Sequence, residues 1–276
     1  MSDDLSLLVV GAHPDDCGIK AGGIAAKYAN AGHDVTFLSL TDGSAGHQSM
    51  GRKELAARRK RETEAVAETL GIDYEVFDVQ DGWLEPSLEN RRRVIRFIRR
   101  VEPDLVLGPR PNDYHPDHRY TAQLVRDAAY MLIVPNVCPD VEEMDRNPVI
   151  GYVADGFQRP NVFEPDVVLD IDDVIDQKLD ALHCHESQMY EWLPYTFGEL
   201  DQVPDGDEAR REWLSQDMLT HLESNTPINV ADRFRDELVE RYGDERGANV
   251  DHAEAVEISE YGSPLTDEAA ERLFFF

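Results

Sequence analysis

Leu7-Leu8-Val9-Val10-Gly11-Ala12-His13-Pro14-Asp15-Asp16 decides how this chain is read. A short apolar run, the length of a buried strand, breaks into a tight polar turn and then a helix-like segment. His13 and Asp16 offer a nitrogen and an oxygen ligand from one turn, and Asp15 sets a second carboxylate beside them. That combination is a metal corner with a base next to it. The competing reading is an ordinary strand-to-helix turn, with an acidic residue capping the helix and a histidine packed beneath it. The choice depends on whether the chain supplies a further ligand.

Working outward, residues 18–30 read as a helix with small residues on its packing side, closed by Gly32. Residues 34–40 read as a second strand, followed by the glycine-punctuated loop Thr41-Asp42-Gly43-Ser44-Ala45-Gly46-His47. A long charged helix spans 52–70, a third strand 74–79, a basic helix 89–101 and a fourth strand 104–108. Strands alternating with helices imply crossovers and a mostly parallel sheet, hence an α/β, Rossmann-like three-layer sandwich. Ligands of such sheets sit beyond the carboxyl ends of the strands, and every polar loop noted here follows a strand. Gly18, Gly22 and Gly23 do not follow the G-x-G-x-x-G spacing from the strand end, and carboxylates stand where a pyrophosphate would approach, so a dinucleotide is disfavoured. The arginines of 89–101 read as a solvated face paired with acidic neighbours.

After the fourth strand comes Gly108-Pro109-Arg110-Pro111-Asn112-Asp113-Tyr114-His115-Pro116-Asp117-His118. It repeats the His-Pro-Asp composition and ends in another histidine. Two such turns, each following a strand of one parallel sheet, can face each other across the end of the sheet. His118 then completes a three-ligand set with His13 and Asp16 and leaves one position for water, the usual arrangement of hydrolytic zinc.

With both motifs in view, the chain resembles the PIG-L, or LmbE-like, family of zinc-dependent N-deacetylases. The family's A-H-P-D-D matches Ala12 to Asp16, and its H-P-D-H matches His115 to His118. Supporting features follow in order: Thr41, Gly43 and Gly46; Arg59 and Glu62, with Leu70-Gly71; Asp81-Gly82; and Lys178, Ala181, His185, Ser187 and Gln188. They span roughly residues 5 to 190, and Cys17 stands where the family usually has glutamate. The resemblance implies Zn²⁺, or another divalent metal, on His13, Asp16 and His118, with Asp15 as general base. It also implies a protonated His115 stabilising the developing oxyanion, with Asp117 holding the His115 ring. Arg59 and Asp81 match pocket positions that would hydrogen-bond the sugar hydroxyls, or a neighbouring phosphate, of a small-molecule amino-sugar substrate, although Arg59 could instead pair with Glu62 on its own helix. His47 reads as a loop histidine, and His183 and His185 as packed helix residues. The activity implied is removal of an acetyl group from an N-acetylated amino sugar. The alternatives are another N-acyl amide or a non-catalytic metal-binding homologue, and the retained Asp15 argues against the last.

Composition bounds the rest. Among 276 residues, 56 are acidic and 27 basic, a net charge of −29, which disfavours nucleic acid and anionic membrane as partners. Lysine is scarce beside aspartate and arginine, the pattern of halophilic proteins whose acidic surface stays soluble under strong screening. Three cysteines without a C-x-x-C pattern suit a reducing cytoplasm, and no stretch reads as a signal or membrane span. Residues 1–190 are expected to form the deacetylase core and 191–276 an acidic, mainly helical extension packed on it. The apolar Leu273-Phe274-Phe275-Phe276 is expected to dock on a neighbour, in keeping with a homo-oligomer.

Overall fold

The opening apolar run is strand β1 (Ser6–Gly11), and its alternating side chains serve two different cores. In the computed structural model, which describes residues 4–218 and 228–276, Leu7 and Val9 face one side of the sheet, while Leu8 and Val10 face the other. The first side is covered by α1 (Asp16–Asn30), α2 (Arg52–Leu70) and, later in the chain, α5 (Ile175–His183). The second is covered by α3 (Leu88–Val101) and α4 (Pro116–Ala129). Burial on both faces explains why β1 reads as continuous apolar sequence.

The other strands are β2 (Asp34–Ser39), β3 (Asp73–Val76), β4 (Leu105–Gly108), β5 (Val149–Val153), β6 (Val167–Asp170) and β7 (Ala253–Ile258). Their order across the sheet is β3-β2-β1-β4-β5-β7-β6. The first five run parallel, and β7 is antiparallel to both of its neighbours. The three-layer α/β sandwich is therefore the one expected. Strand β1 lies directly beside β4, with Leu7 opposite Leu105 and Val9 opposite Leu107. That register brings the two His-Pro-Asp turns out at the same end of the sheet, side by side.

Residues 137–158 contain β5, and the segment beyond residue 190 contributes, besides its helices, strand β7, which lies inside the sheet between β5 and β6. One feature departs from expectation. The aromatic terminus docks on its own chain: Phe274 is buried with Leu273 in the core beneath α1, and Phe275 and Phe276 pack on Tyr28. The reason is a groove beside α1, where Lys27 lies over the Phe276 ring and Arg241 donates to the Phe274 carbonyl. Its apolarity therefore gives no argument for a neighbouring subunit. Among the described residues, no helix is long and apolar enough to cross a membrane.

Candidate active site

Gly11 ends β1, and a Cβ there would lie 2.7 Å from Asp16 Cβ, so only glycine lets the first turn of α1 fold back onto the strand end. Asp16 Oδ2 then accepts the backbone N–H groups of Ala12 and His13, both at 2.8 Å, which fixes the turn. Asp15 occupies the N-cap position but makes no side-chain cap, so its carboxylate is turned elsewhere. It receives the guanidinium of Arg59, which is 2% exposed and also donates to the Gly43 carbonyl at 3.2 Å. Any side chain at Gly43 would collide with Arg59 and Pro14, which accounts for the glycine of the Thr41–Gly46 loop.

On the neighbouring strand, His115 is the N-cap of α4, with Pro116 opening the helix. His115 Nδ1 accepts the backbone N–H of Asp117 at 3.2 Å. An accepting Nδ1 leaves the proton on Nε2 in the neutral ring. Burial, then the nearby His13 and His118, holds the His115 pKa below the ordinary histidine value. The hydrogen bond of this structure between His115 and Asp117 runs from the Asp117 backbone N–H to the ring, and not from the ring to the carboxylate. That carboxylate uses Oδ2 to accept Gly82 N–H at 2.6 Å and to face His13 Nε2 at 3.6 Å, while its buried Oδ1 has no hydrogen-bond partner.

His13, Asp16 and His118 do converge. His13 Nδ1 lies 3.1 Å from His118 Nε2, and Asp16 Oδ2 lies 3.6 Å from the first and 3.4 Å from the second. Ligands about 2.0–2.1 Å from a tetrahedral metal stand roughly 3.3 Å from one another, so the triangle has the size of a coordination face. His115 adds a third imidazole to the same cluster. Behind each histidine of the triangle stands a carboxylate. Asp113 Oδ2 is 3.0 Å from His118 Nδ1, and Asp81 Oδ1 is 3.2 Å from His13 Nε2. Such pairs aim the opposite ring nitrogen, with its lone pair, at a common point. Burial disfavours charge on His13, yet Asp117, Asp16 and Asp81 outweigh it and push its pKa well up. Burial likewise opposes charge on Asp16, but His118 and His13 hold its carboxyl far below the usual range. The cluster is built to attract positive charge, and these donors fit a divalent cation.

The sequence reading missed Asp113, although it stands two residues before His115 in the same motif. Arg59 and Asp81 both line the cavity and both contact the protein: the Arg59 Nη atoms donate to Asp15 and Gly43, with the buried Nε unpartnered, and Asp81 lies against His13 and accepts Ala45 N–H at 3.0 Å. Glu62 does not pair with Arg59; it takes Arg58 and the backbone and hydroxyl of Ser187. Cys17 is buried, donating to Val9 O at 3.4 Å, and burial pushes its thiol pKa well up, so it packs as a small apolar residue. His47 bonds Glu191 at 2.6 Å, and His183 lies against Tyr190 and Asp207. His185 is fully enclosed, with both ring nitrogens unpartnered and its pKa pushed down by burial to about 4.

These groups open into a cavity of about 510 Å³, a size typical of small-molecule sites. It is lined by His13, Asp15, Asp16, His115 and His118 on the sheet side, and by Gln188, Trp192, Leu193, Thr196 and Phe197 across from the strand ends in sequence.

Comparison with known proteins agrees with this arrangement. The family model described as PIG-L, GlcNAc-PI de-N-acetylase, matches residues 8–129, which include both His-Pro-Asp turns. The diacetylchitobiose deacetylase of Thermococcus kodakarensis is 35% identical over 214 residues, covering 70% of this chain and 76% of its own. The 4-oxalmesaconate hydratase of Pseudomonas putida is 30% identical over 216 residues, covering 75% and 81%. The solved N,N'-diacetylchitobiose deacetylase of Pyrococcus horikoshii superposes with a TM-score of 0.68 at 24% identity, over 92% of this chain and 83% of that one. With a cation-seeking triangle between two His-Pro-Asp turns and a relative of this identity and coverage, the chain belongs to the PIG-L family.

Proposed function

We propose that the protein is a divalent-metal, most simply zinc, hydrolase that removes the acetyl group from an N-acetylated amino sugar. The observation that carries the reading is the 3.1–3.6 Å triangle of His13 Nδ1, His118 Nε2 and Asp16 Oδ2, with the Asp15 carboxylate lining the same cavity. A divalent cation held by those three residues would polarise the amide carbonyl and make water more acidic. Asp15, kept in place by Arg59, takes a proton from the attacking water and returns it to the amine nitrogen as the C–N bond breaks. His115 contributes its Nε2–H to the carbonyl oxygen as negative charge develops there. Because the ring is neutral, it donates a hydrogen bond without having to lose a charge. Asp113, Asp81 and Asp117 act through the two ligand histidines, orienting them. The products are acetate and a free amino sugar.

The T. kodakarensis relative, a diacetylchitobiose deacetylase, supports the substrate class. The P. putida relative, a hydratase, favours a second reading in which the same base and metal add water across a carbon–carbon double bond. Acetate release from N-acetylglucosamine and N,N'-diacetylchitobiose, with and without a chelator, separates the two. Chelator-sensitive acetate release establishes the deacetylase. Its absence, together with hydration of 4-oxalmesaconate, establishes the hydratase.

A further inference from the structure

We infer that the wall formed by residues 188–197, together with Tyr114, is an uncharged saccharide platform that selects a neutral N-acetylated oligosaccharide over an anionic conjugate. The inference rests on the deacetylase reading and deepens it.

Gln188, Trp192, Leu193, Thr196 and Phe197 follow an i, i+4, i+5, i+8, i+9 spacing, which puts them on one face of the helical stretch that borders the cavity. None is charged. Trp192 is the flat element of this face. It stacks on Tyr195 with ring centroids 5.8 Å apart and planes 25° from parallel. The indole is fixed from beneath, because a Cβ added to Gly46 would stand 3.1 Å from its Nε1. The preceding residue, Glu191, accepts from Arg58 at 2.7 and 2.8 Å and pairs with His47 at 2.6 Å, anchoring the segment to α2 and to the Thr41–His47 loop. Tyr114 stands next to the metal-ligand candidates, its ring centroid 5.9 Å from that of His118. A rigid aromatic surface with a few polar neighbours suits the C–H faces of a pyranose and costs little ordering.

The charge pattern sharpens this. Among the described residues, the single arginine or lysine lining the cavity is Arg59, already held by Asp15 and Gly43, and the three histidines there belong to the metal-ligand cluster on the sheet side. Two other arginines close in sequence are engaged: Arg58 with Glu191, Glu62 and Glu186, and Arg52 with Ser44 and the Asp81 carbonyl. Residues 219–227, outside the described structure, contain neither lysine nor arginine. A carboxylate or phosphate on the far side of the sugar would therefore be desolvated against Trp192 and Leu193 without a cation to pair it, which is strongly unfavourable. Rejection by an unpaired charge is a specificity device in itself.

The test uses the full-length, zinc-loaded chain with N-acetylglucosamine, N,N'-diacetylchitobiose and N-acetylglucosamine 1-phosphate, following acetate. The disaccharide should exceed the phosphate in kcat/KM by at least about tenfold, and Trp192→Ala should lower the disaccharide-to-monosaccharide ratio by about tenfold, mainly through KM. Trp192→Phe should restore most of it, and Gly46→Ala, which displaces the indole, should shift the ratio in the same direction as Trp192→Ala. Equal turnover of the phosphate, or equal losses on both sugars in Trp192→Ala, overturns the platform. If no compound releases acetate, the deacetylase reading fails, and binding decides the platform separately. A saturable change in tryptophan fluorescence with diacetylchitobiose that disappears in Trp192→Phe supports it; no change overturns it.

Discussion

The Arg59 guanidinium, 2% exposed on α2, donates to Asp15 Oδ1 at the mouth of β1. Two residues distant in sequence thereby form a buried ion pair that holds the proposed base in place at the cavity. Asp15→Asn retains the shape and can still accept from Arg59. It should bind metal at wild-type stoichiometry while losing about 10²–10⁴-fold in kcat, the usual contribution of a positioned acid or base. Metal analysis beside steady-state kinetics checks this. Near wild-type turnover would remove Asp15 from the chemistry.

Asp113 makes a different prediction, because it touches His118 at the nitrogen turned away from the triangle. Asp113→Ala should weaken metal affinity by about 10–100-fold, in line with the loss of a carboxylate behind a ligating histidine. His118→Ala should abolish stoichiometric binding. Competition with a chromogenic chelator measures both. Unchanged affinity in Asp113→Ala would mean that the His118 ring is held by its helix alone.

Much of this was legible from residues. The run before His13 and the α2 span from Arg52 to Leu70 were readable because apolar period and helix composition act locally. The meeting of the two His-Pro-Asp turns was readable because parallel strands put their carboxyl ends on one side. What escaped depends on distant contacts. Strand β7 reads Ala253-Glu254-Ala255-Val256-Glu257-Ile258, and Glu254 disguises it, because a charge inside a buried strand makes sense only once its partner is known. The position of the Asp117 carboxylate is set by Gly82 N–H, thirty-five residues earlier, and nothing in His-Pro-Asp-His announces that. The aromatic terminus read as an unpartnered patch because its groove beside Tyr28 lies almost a whole chain away.

His185 carries a pH prediction. Its pKa is about 4 in the folded protein because burial disfavours the charged ring, against an ordinary value of 6.5. Between those values the unfolded chain binds the extra proton, so the stability from keeping His185 neutral is complete above pH 6.5. It is lost as the pH falls toward 4, by about 3 kcal/mol at pH 4. Urea midpoints of wild type and His185→Phe between pH 7 and 4 test this, and the wild-type midpoint should fall relative to that of the variant as the pH drops. Parallel curves would show that His185 does not titrate in this way.

The charge of −29 predicts salt dependence. Self-repulsion of the compact state weakens as the screening length falls from about 10 Å at 0.1 M to about 3 Å at 1 M salt. Tm should therefore rise between low and molar sodium chloride. A flat response would mean that the acidic surface costs the fold little.

Glu254 tests whether residues 191–276 belong to the same folding unit as the core, as we propose. Helix α1 is kinked at Ala21, with φ −143° and ψ 22°, and the N–H groups of Gly23 and Ile24 beyond the kink donate to the two Glu254 oxygens at 2.9 and 2.8 Å. Lys178 on α5, fully buried, completes the arrangement by donating to Glu254 Oε1 at 2.7 Å and to the Ile228 carbonyl at 2.8 Å. One carboxylate from β7 thus ties the late part of the chain to the helix that begins at Asp16. Removing it strands a buried ammonium, and Glu254→Ala should cost about 3–5 kcal/mol. The double variant Glu254→Met with Lys178→Met should recover part of that, since neither charge then needs a partner, though the two N–H groups at the kink remain unpaired. Chemical denaturation should show one transition in every variant, with the midpoint of Glu254→Ala well below that of wild type. A loss under about 1 kcal/mol in Glu254→Ala would show that β7 is held by its strand neighbours without this ion pair, and a separate early transition in wild type would show that the two segments are not one folding unit.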